Sequence, residues 1–259
     1  MLRIVQNEHV PDPFNIMNLS AKKLTQAAVH VWPVRLEEPD VGCNKPEVTL
    51  SEDELARAAR FHRERDRRRF MVARAYLRRV LAAYTGMDDA QLTFCYSPYG
   101  KPNLQNARAD IHFNVSHSGD IAVIGITSGR EIGVDIEQIR DDVEIEQLAR
   151  RFFSRLEFDT LSALAEESKI AAFFRTWTCK EAFLKGQGMG LFLPLDCFDV
   201  EVDMAKPTRL LATRPDGAEA GQWTLRLLEI ATGFAAAVAV RGPIEELSIF
   251  VSHEQSTTV

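Results

Sequence analysis

Long apolar segments are missing from this sequence. No run approaches the roughly 18 consecutive apolar residues that a membrane-spanning helix needs. The N-terminal segment MLRIVQNEHVPDPFNIMNLSAKK also lacks the continuous apolar core of a secretion signal. We therefore expect a soluble protein that has no membrane partner.

Cysteine is scarce, and an excess of positive charge is absent. The four cysteines are Cys43, Cys95, Cys179 and Cys197, and no two of them form a CxxC pair. We therefore expect neither a zinc site nor a disulfide framework, and a reducing cytoplasm is the predicted location. The 31 lysines and arginines are outnumbered by 37 aspartates and glutamates, which gives a net charge of −6 and argues against a nucleic-acid partner.

Helical and strand patterns are present in an order that suggests a duplication. The chain has 259 residues and is 46% hydrophobic, enough to bury one large core or two smaller ones. Each half holds an arginine- or phenylalanine-rich helical segment, a long amphipathic helix and then several strands. We predict an α+β protein of two similar subdomains, residues 1–128 and 129–259. Helices are predicted from 66 to the residue before Gly86 and over 167–185, and strands over 27–36, 91–95, 111–115, 121–126, 132–136 and in four C-terminal segments.

Two acidic residues share one face of a predicted strand in the segment IGVDIE. Because side chains alternate along a strand, Asp135 and Glu137 point the same way, and each raises the cost of ionising the other. The simplest interpretation is a strand end whose acids face water. The alternative is a Mg²⁺ site, since this ion prefers oxygen ligands together with water and substrate phosphate.

A second candidate lies in the predicted helix that ends FFRTWTCKEAFLKGQGMGL. Glu181 and Lys185 are four residues apart and therefore neighbours on one helical face. An ordinary surface ion pair is the simplest interpretation. The pair lies among residues of buried type, however, and precedes a glycine-spaced turn of the kind that lets backbone approach a ligand closely.

Two further segments hold groups suited to phosphate. Ser116 and His117 in FNVSHSGD follow a predicted strand, and a hydroxyl, an imidazole and turn N–H groups suit phosphate oxygens. A turn that caps a hairpin explains them equally well. Neighbouring strand residues face opposite ways, so a Ser116–His117 nucleophile and base pair is not expected. Lys101 lies in a GKP turn.

Arginine is concentrated in one region, with ten residues between positions 57 and 79. Most of them are expected to lie on solvent-exposed helix surfaces. A subset is a candidate for binding a polyphosphate or an acidic protein partner, because guanidinium groups match phosphate in a bidentate way.

Taken in order, these segments resemble the 4′-phosphopantetheinyl transferases of the surfactin-synthetase-activating type. The resemblance covers about residues 100–200, and the region RFHRERDRRRFMVARAYLRRVL resembles the arginine-rich helices of the family in outline. The pairing of G-[IV]-D-[IV]-E with W-[ST]-x-K-E-[AS]-x-x-K-x-x-G-x-G-L is specific, although each pattern alone is weak. The matching text is GKP, FNVSHSGD, IGVDIE, RRFFSRLEF, WTCKEAFLKGQGMGL and LPLDCFDV.

The resemblance implies a fold and a reaction. The fold would be two similar subdomains about a pseudo-twofold axis, each a small and mainly antiparallel sheet packed with helices. Coenzyme A would bind between them, and the 4′-phosphopantetheine arm would move to a serine of an apo acyl or peptidyl carrier protein, with adenosine 3′,5′-bisphosphate leaving. A cleft formed within one chain leads us to expect a monomer.

The resemblance also implies roles for individual residues. Mg²⁺ would be held by Asp135, Glu137 and Glu181, and catalysis would fall to Glu181, or to a magnesium-bound water beside it, and to Lys185. Glu54 occupies a position that is basic in some members, and Glu157 matches a recurring glutamate to which we assign no role. Coenzyme contacts would come from Arg57, Lys101, Ser116, His117 and Lys185.

Two other classes of protein fit parts of this pattern. A Mg²⁺-dependent phosphohydrolase or nuclease also uses clustered carboxylates with lysine and histidine. A non-catalytic module that binds coenzyme A or a carrier would retain the fold. The intact set of acids and Lys185 favours the transferase, but the sequence does not say which carrier or pathway it serves.

Overall fold

The computed structural model describes residues 3–6, 24–37, 46–105, 110–190 and 193–250. These ranges contain five α-helices and twelve strands. The helices are α1 (Glu52–Ala58), α2 (Glu64–Thr85), α3 (Ile145–Phe152), α4 (Arg155–Ser162) and α5 (Glu166–Gln187). The strands are β1 (Arg3–Gln6), β2 (Ala28–Arg35), β3 (Phe94–Tyr96), β4 (Pro102–Leu104), β5 (Ile111–Ser118), β6 (Ile121–Ser128), β7 (Ile132–Gln138), β8 (Phe198–Val200), β9 (Leu210–Thr213), β10 (Trp223–Leu227), β11 (Phe234–Arg241) and β12 (Glu246–Ile249).

Most predicted elements are present with close boundaries. Helices α2 and α5 both end at a glycine in the left-handed conformation, Gly86 and Gly188, each with φ 69°. A residue with a side chain is strained at such an angle, so glycine ends the helix there. The strand predicted over 91–95 is shorter, because Asp89–Gln91 form a 3-10 helix capped by the side chain of Asp88.

The strands form two main sheets, which confirms the α+β class. The larger sheet has the order β1-β12-β2-β6-β5, in which only the β12 pairings with β1 and β2 are parallel. The smaller sheet, β10-β11-β7, is antiparallel throughout. The division at residues 128 and 129 stays a prediction, and β12, from the C-terminal part, lies in the larger sheet.

The two sheets pack face to face and share a core. Side chains alternate along β6, so Val123 packs toward the smaller sheet, against β7 and β11 residues such as Val134 and Val238. Ile124 points the other way, into a cluster with α2 that includes Leu77. Helix α5 covers the outer face of the smaller sheet. The order of layers is therefore α2, larger sheet, smaller sheet, α5.

Within the described ranges, no helix combines the length and the apolar character that crossing a bilayer requires. The thiols of Cys95, Cys179 and Cys197 are free, and Cys43 lies outside the described residues. Burial raises the pKa of the Cys179 thiol to about 12, so this group is an inert part of the core.

Candidate functional site

Two glycines let helix α5 cross strand β7 in backbone contact. A Cβ built on Gly133 would lie 2.0 Å from the carbonyl oxygen of Ala182 and 2.2 Å from the backbone nitrogen of Gly186. A Cβ on Gly186 would lie 2.6 Å from the ring of Trp223. No side chain fits at such distances. The crossing therefore brings Asp135, two residues beyond Gly133, beside Lys185, which precedes Gly186.

Asp135, Lys185 and Ser116 form the centre of the site. The Nζ of Lys185 lies 2.5 Å from Oδ1 of Asp135 and 2.8 Å from Oγ of Ser116, and the Ser116 hydroxyl donates to the same Oδ1 at 2.8 Å. Only 2% of the Asp135 side chain is exposed, against 30% for Lys185. Burial raises the pKa of Asp135, although Lys185 and Ser116 oppose this effect. The structure thus brings together three residues that lie far apart in the sequence.

Alternate residues of β5 satisfy the open edge of β7. Asn114 accepts a hydrogen bond from the Val134 N–H at 3.0 Å, and Ser118 accepts one from the Gln138 N–H at 3.1 Å. Ser118 also donates to Glu137 at 2.9 Å. Sequence reasoning missed Asn114 and placed Ser118 only in a phosphate-binding turn, although the alternation of polar residues in FNVSHS was a signal for both contacts.

Glu137 and Glu181 complete an acidic group around Asp135. Burial raises the pKa of both carboxyls, and the negative charge of Asp135 raises each further. Glu181 makes no hydrogen bond or ion pair with any residue that the structure describes, and its pKa is also raised by Glu137 and lowered by Lys185. Three acids therefore share one electrostatic environment, and the charge of Lys185 lowers the pKa of all three.

A metal centre is not formed by these side chains as they stand. In the described part of the chain, no three His, Cys, Asp or Glu side chains converge closely enough to hold a metal ion. The chemistry of the group still fits a hard cation. Oδ2 of Asp135 is buried without a hydrogen-bond partner, and the three carboxyls repel one another. A divalent ion would relieve both conditions.

Lys101 ties the β3–β4 turn to both elements of the site. Its amine donates to Glu131 at 2.9 Å, to the Ile132 carbonyl at 3.2 Å and to the Gly186 carbonyl at 2.9 Å. The Gly186 carbonyl belongs to the last turn of α5, where backbone acceptors lack helical partners. The role of Lys101 in coenzyme binding stays a prediction. In this structure all three protons of its amine are donated to acceptors within the protein.

His117 and Arg57 lie apart from this centre. His117 is exposed on the opposite face of β5 from Ser116, which agrees with the expectation that the two do not form a catalytic pair. Loss of solvent around its ring lowers the pKa of His117, and the charges of Lys185 and Arg69 lower it further. The exposed guanidinium of Arg57 lies 5.4 Å from the ring centroid of Phe70.

Glu157, which matches a recurring family glutamate, and Glu54, which stands where some members have a basic residue, both make structural contacts. The amine of Lys180 donates to both carboxylate oxygens of buried Glu157, at 2.7 Å each. The same carboxylate accepts from the Val200 N–H at 2.8 Å. Lys180 is fully buried and turns away from the site that its neighbour Glu181 faces. Glu54 is buried against Arg78 at 2.7 Å. Sequence reasoning did not predict either ion pair.

The fold and the site define an α+β enzyme in which carboxylates, a lysine and a serine meet where two sheets adjoin. Such a set suits a substrate that carries phosphate, because the cation and hydroxyl can bind phosphate oxygens.

Comparison with known proteins identifies the family. The model of the 4′-phosphopantetheinyl transferase superfamily matches residues 131–239, and that of the 4′-phosphopantetheinyl transferase N-terminal region matches 46–128. The 4′-phosphopantetheinyl transferase HetI of Nostoc sp. strain PCC 7120 is 37% identical over 92% of this chain and 96% of its own length. The chain therefore belongs to the 4′-phosphopantetheinyl transferase superfamily. It is a transferase of the class that moves phosphopantetheine from coenzyme A to carrier proteins.

Two further similar proteins match a smaller part of the chain. The 4′-phosphopantetheinyl transferase Sfp of Bacillus subtilis strain 168 is 33% identical over 59% of this chain and 66% of its own length. Among solved structures, the holo-(acyl-carrier-protein) synthase of Bacillus anthracis strain Ames in complex with CoA (3′,5′-ADP) is 20% identical, with a TM-score of 0.34 over 44% of this chain and 96% of that one.

Proposed function

We propose that this chain transfers 4′-phosphopantetheine from coenzyme A to a serine hydroxyl of an apo carrier protein, with Mg²⁺ bound and adenosine 3′,5′-bisphosphate as the second product. The observation that carries the proposal is the contact of Lys185 and Ser116 with buried Asp135, beside Glu137 and Glu181. We further propose that the enzyme acts as a monomer in the cytoplasm.

Lys185 and Ser116 are placed to bind the pyrophosphate of the coenzyme. The Lys185 side chain is 30% exposed, so a phosphate oxygen can reach its amine while Asp135 remains in contact. Its positive charge would offset the negative charge that develops on the leaving oxygen. His117, on the opposite face of β5 from Ser116, would contact another phosphate of the coenzyme.

Asp135, Glu137 and Glu181 would hold the Mg²⁺ ion. When bound, the ion offsets negative charge on the pyrophosphate and on the three acids. Asp135 would offer Oδ2, which has no hydrogen-bond partner in the protein.

Glu181 is the candidate general base. Its carboxylate makes no hydrogen bond or ion pair with any described residue, so an oxygen is available to accept a proton, and burial and Asp135 raise its pKa while no metal is bound. Glu181 would take the proton of the carrier serine while the serine oxygen forms a bond to the β-phosphorus. The bond from that phosphorus to the bridging oxygen breaks, and the electron pair leaves with adenosine 3′,5′-bisphosphate.

The arginines between 57 and 79 would help to dock an acidic carrier surface. Several of them, including Arg63, Arg67 and Arg68, are exposed. Complementary charge speeds encounter and is screened by salt. Carrier affinity measured at rising ionic strength should fall, and salt-independent affinity would contradict this docking role.

Intact-mass measurement of apo carriers tests the proposed reaction. An acyl and a peptidyl apo carrier are incubated with coenzyme A, Mg²⁺ and either the wild-type protein or Glu181→Gln. We expect the wild type to add one phosphopantetheinyl mass to a carrier and the variant to be strongly slowed. Release of inorganic phosphate from coenzyme A with no mass gain on either carrier would support a phosphohydrolase instead.

A further inference from the structure

Ser118, the last residue of β5, makes two hydrogen bonds to the edge of β7. Its Oγ donates to Oε2 of Glu137 at 2.9 Å and accepts the N–H of Gln138 at 3.1 Å. A hydroxyl has one proton to donate, and a backbone N–H cannot accept it, so the proton of Ser118 is directed to the carboxylate. The backbone of β7 therefore orients the hydroxyl, and the hydroxyl in turn orients a side chain of the same strand.

The same arrangement occurs two residues earlier on both strands. Ser116 shares a face of β5 with Ser118, and the two acids that these serines contact share a face of β7. Ser116 donates to Oδ1 of Asp135 at 2.8 Å, and Oδ2 has no hydrogen-bond partner. Ser118 donates to Oε2 of Glu137, and Oε1 accepts no hydrogen bond from a residue that the structure describes. Each serine thus occupies one oxygen of an acid and leaves the other available.

Glu137 depends on its serine more than Asp135 does. The Asp135 side chain is 2% exposed and is also held by Lys185. Glu137 is half-buried, has one more rotatable bond, and makes no ion pair within the described ranges. The charge of Asp135 disfavours its ionised form, whereas the guanidinium of Arg140, which is 60% exposed, favours it. These charges favour a Glu137 side chain turned from Asp135 toward Arg140, and the contact with Ser118 opposes that movement.

We propose that Ser118 is a positioning residue for the divalent ion: its hydroxyl holds Glu137 beside Asp135 in the free protein, with Oε1 of Glu137 left for the cation. This inference rests on the proposed function. A carboxylate that is already oriented loses little conformational freedom when an ion binds, and the hydrogen-bond partners of metal ligands support affinity in this way. Ser118 carries no charge, so it orients Glu137 without competing for the cation.

Binding of Mn²⁺ to the full chain with coenzyme A, measured from the electron paramagnetic resonance of the free ion, tests the inference without a carrier or turnover. Ser118→Ala should weaken the affinity for Mn²⁺ about tenfold, because a hydrogen-bond partner of a metal ligand is lost. Ser118→Thr keeps the hydroxyl and suits a strand, so it should retain the affinity of the wild type. Ser128→Ala is the control and should change nothing, since Ser128 ends β6 and pairs with Ile111 at the opposite end of β5.

A double-mutant cycle separates an effect through Glu137 from an effect on the backbone of β7. Ser118→Ala also leaves the Gln138 N–H without its acceptor, and the consequence of that loss would persist when Glu137 is replaced. We expect Ser118→Ala to weaken Mn²⁺ binding in the wild-type background and to have no further effect in Glu137→Gln. The KM for coenzyme A at saturating Mg²⁺ should stay at the wild-type value, because the contact acts on the ion.

Four results would overturn the inference. They are wild-type Mn²⁺ affinity in folded Ser118→Ala, an equal loss in Ser128→Ala, a loss that persists in Glu137→Gln, or a wild type that binds no Mn²⁺ with coenzyme A. If the thermal midpoint shows that Ser118→Ala is not folded, Ser118→Cys takes its place. Cysteine keeps the volume and is a weaker donor, so a loss in the same direction is expected. The proposed function fails separately if the wild type modifies no carrier, whereas normal transfer with unaltered Mn²⁺ binding in Ser118→Ala contradicts only this inference.

Discussion

Asp135 shows how the site sets function against stability at the scale of single residues. A carboxylate that is only 2% exposed is costly to ionise, and burial raises its pKa despite the neighbouring Lys185. Its second oxygen has no hydrogen-bond partner. Buried carboxyl groups with a shifted pKa are common at catalytic and binding sites.

Asp135→Asn should therefore abolish activity more than it disturbs folding. We expect the rate of transfer to fall by at least about a hundredfold, because the charge that would hold Mg²⁺ and Lys185 is lost. The thermal midpoint should stay unchanged or rise, since a costly buried charge is removed. Asp142→Asn, at an exposed position, serves as the control for both measurements. An active variant, or one that is strongly destabilised, would contradict this view of Asp135.

Glu131 gives a prediction about pH. Hydrogen bonds from His112 and Lys101 lower the pKa of Glu131 from 4.5 to about 2. The contribution of ionised Glu131 to the free energy of unfolding is therefore complete above pH 4.5 and is lost as the pH falls toward 2. The pKa of His112 is raised above 6.5, chiefly by Glu131, so its contribution is complete below pH 6.5 and is lost as the pH rises. The difference in unfolding free energy between wild type and Glu131→Gln should be largest between pH 4.5 and 6.5. A difference that does not vary from pH 3 to 9 would refute this.

At the residue scale, the sequence predicted which residues share a face of a strand but not what they contact. The same-face placement of Asp135 and Glu137 followed from strand alternation and is confirmed. The three acceptors of the Lys101 amine were not predictable, because Ile132 and Gly186 approach it only after the turn, β7 and α5 have packed together.

At the scale of elements, the crossing of α5 over β7 determines the site. Helices normally pack on strands through side chains, but here the backbones touch at Gly133 and Gly186. Sequence patterns identified both elements and the glycine-spaced turn. They did not predict the crossing, because the closeness of two backbones depends on residues that contact only in the folded chain.

Gly133→Ala tests this contact. The added methyl would overlap the backbone of Ala182 and Gly186, which cannot rotate away, so α5 must shift from β7. We expect a loss of stability of about 1–3 kcal/mol or more and a large fall in transfer rate. Gly217→Ala is the matched control, since its Cβ would meet nothing within 4 Å. Equal denaturation midpoints and rates for the two variants would show that the contact is not required.

At the scale of the whole molecule, one shared core joins the two sheets. The strand β12 comes from the end of the described chain, yet it lies between β1 and β2 in the larger sheet. Its Leu247 packs in the cluster that also holds Val29 of the larger sheet and Val134 of the smaller one. The suspected duplication did not predict that β12 joins the larger sheet. No local sequence pattern indicates which distant strand β12 pairs with.

Leu247→Ala should weaken the whole protein rather than one half. Leu247 is 2% exposed, and a leucine truncated in such a core costs about 2–5 kcal/mol. Because the core is shared, circular dichroism and tryptophan fluorescence should report the same single transition at a lower denaturant concentration. Separate transitions from the two probes would show that the sheets unfold independently.

The central claim is that Asp135, Glu137, Glu181 and Lys185 together hold the pyrophosphate end of coenzyme A through one divalent ion. A crystal structure of the protein with coenzyme A and Mg²⁺ tests it most directly. The account predicts one ion within ligation distance of the three carboxylates and of the pyrophosphate, with Lys185 against a phosphate oxygen. Coenzyme A bound with its pyrophosphate away from Lys185, or an ion that none of the three acids ligates, would contradict it.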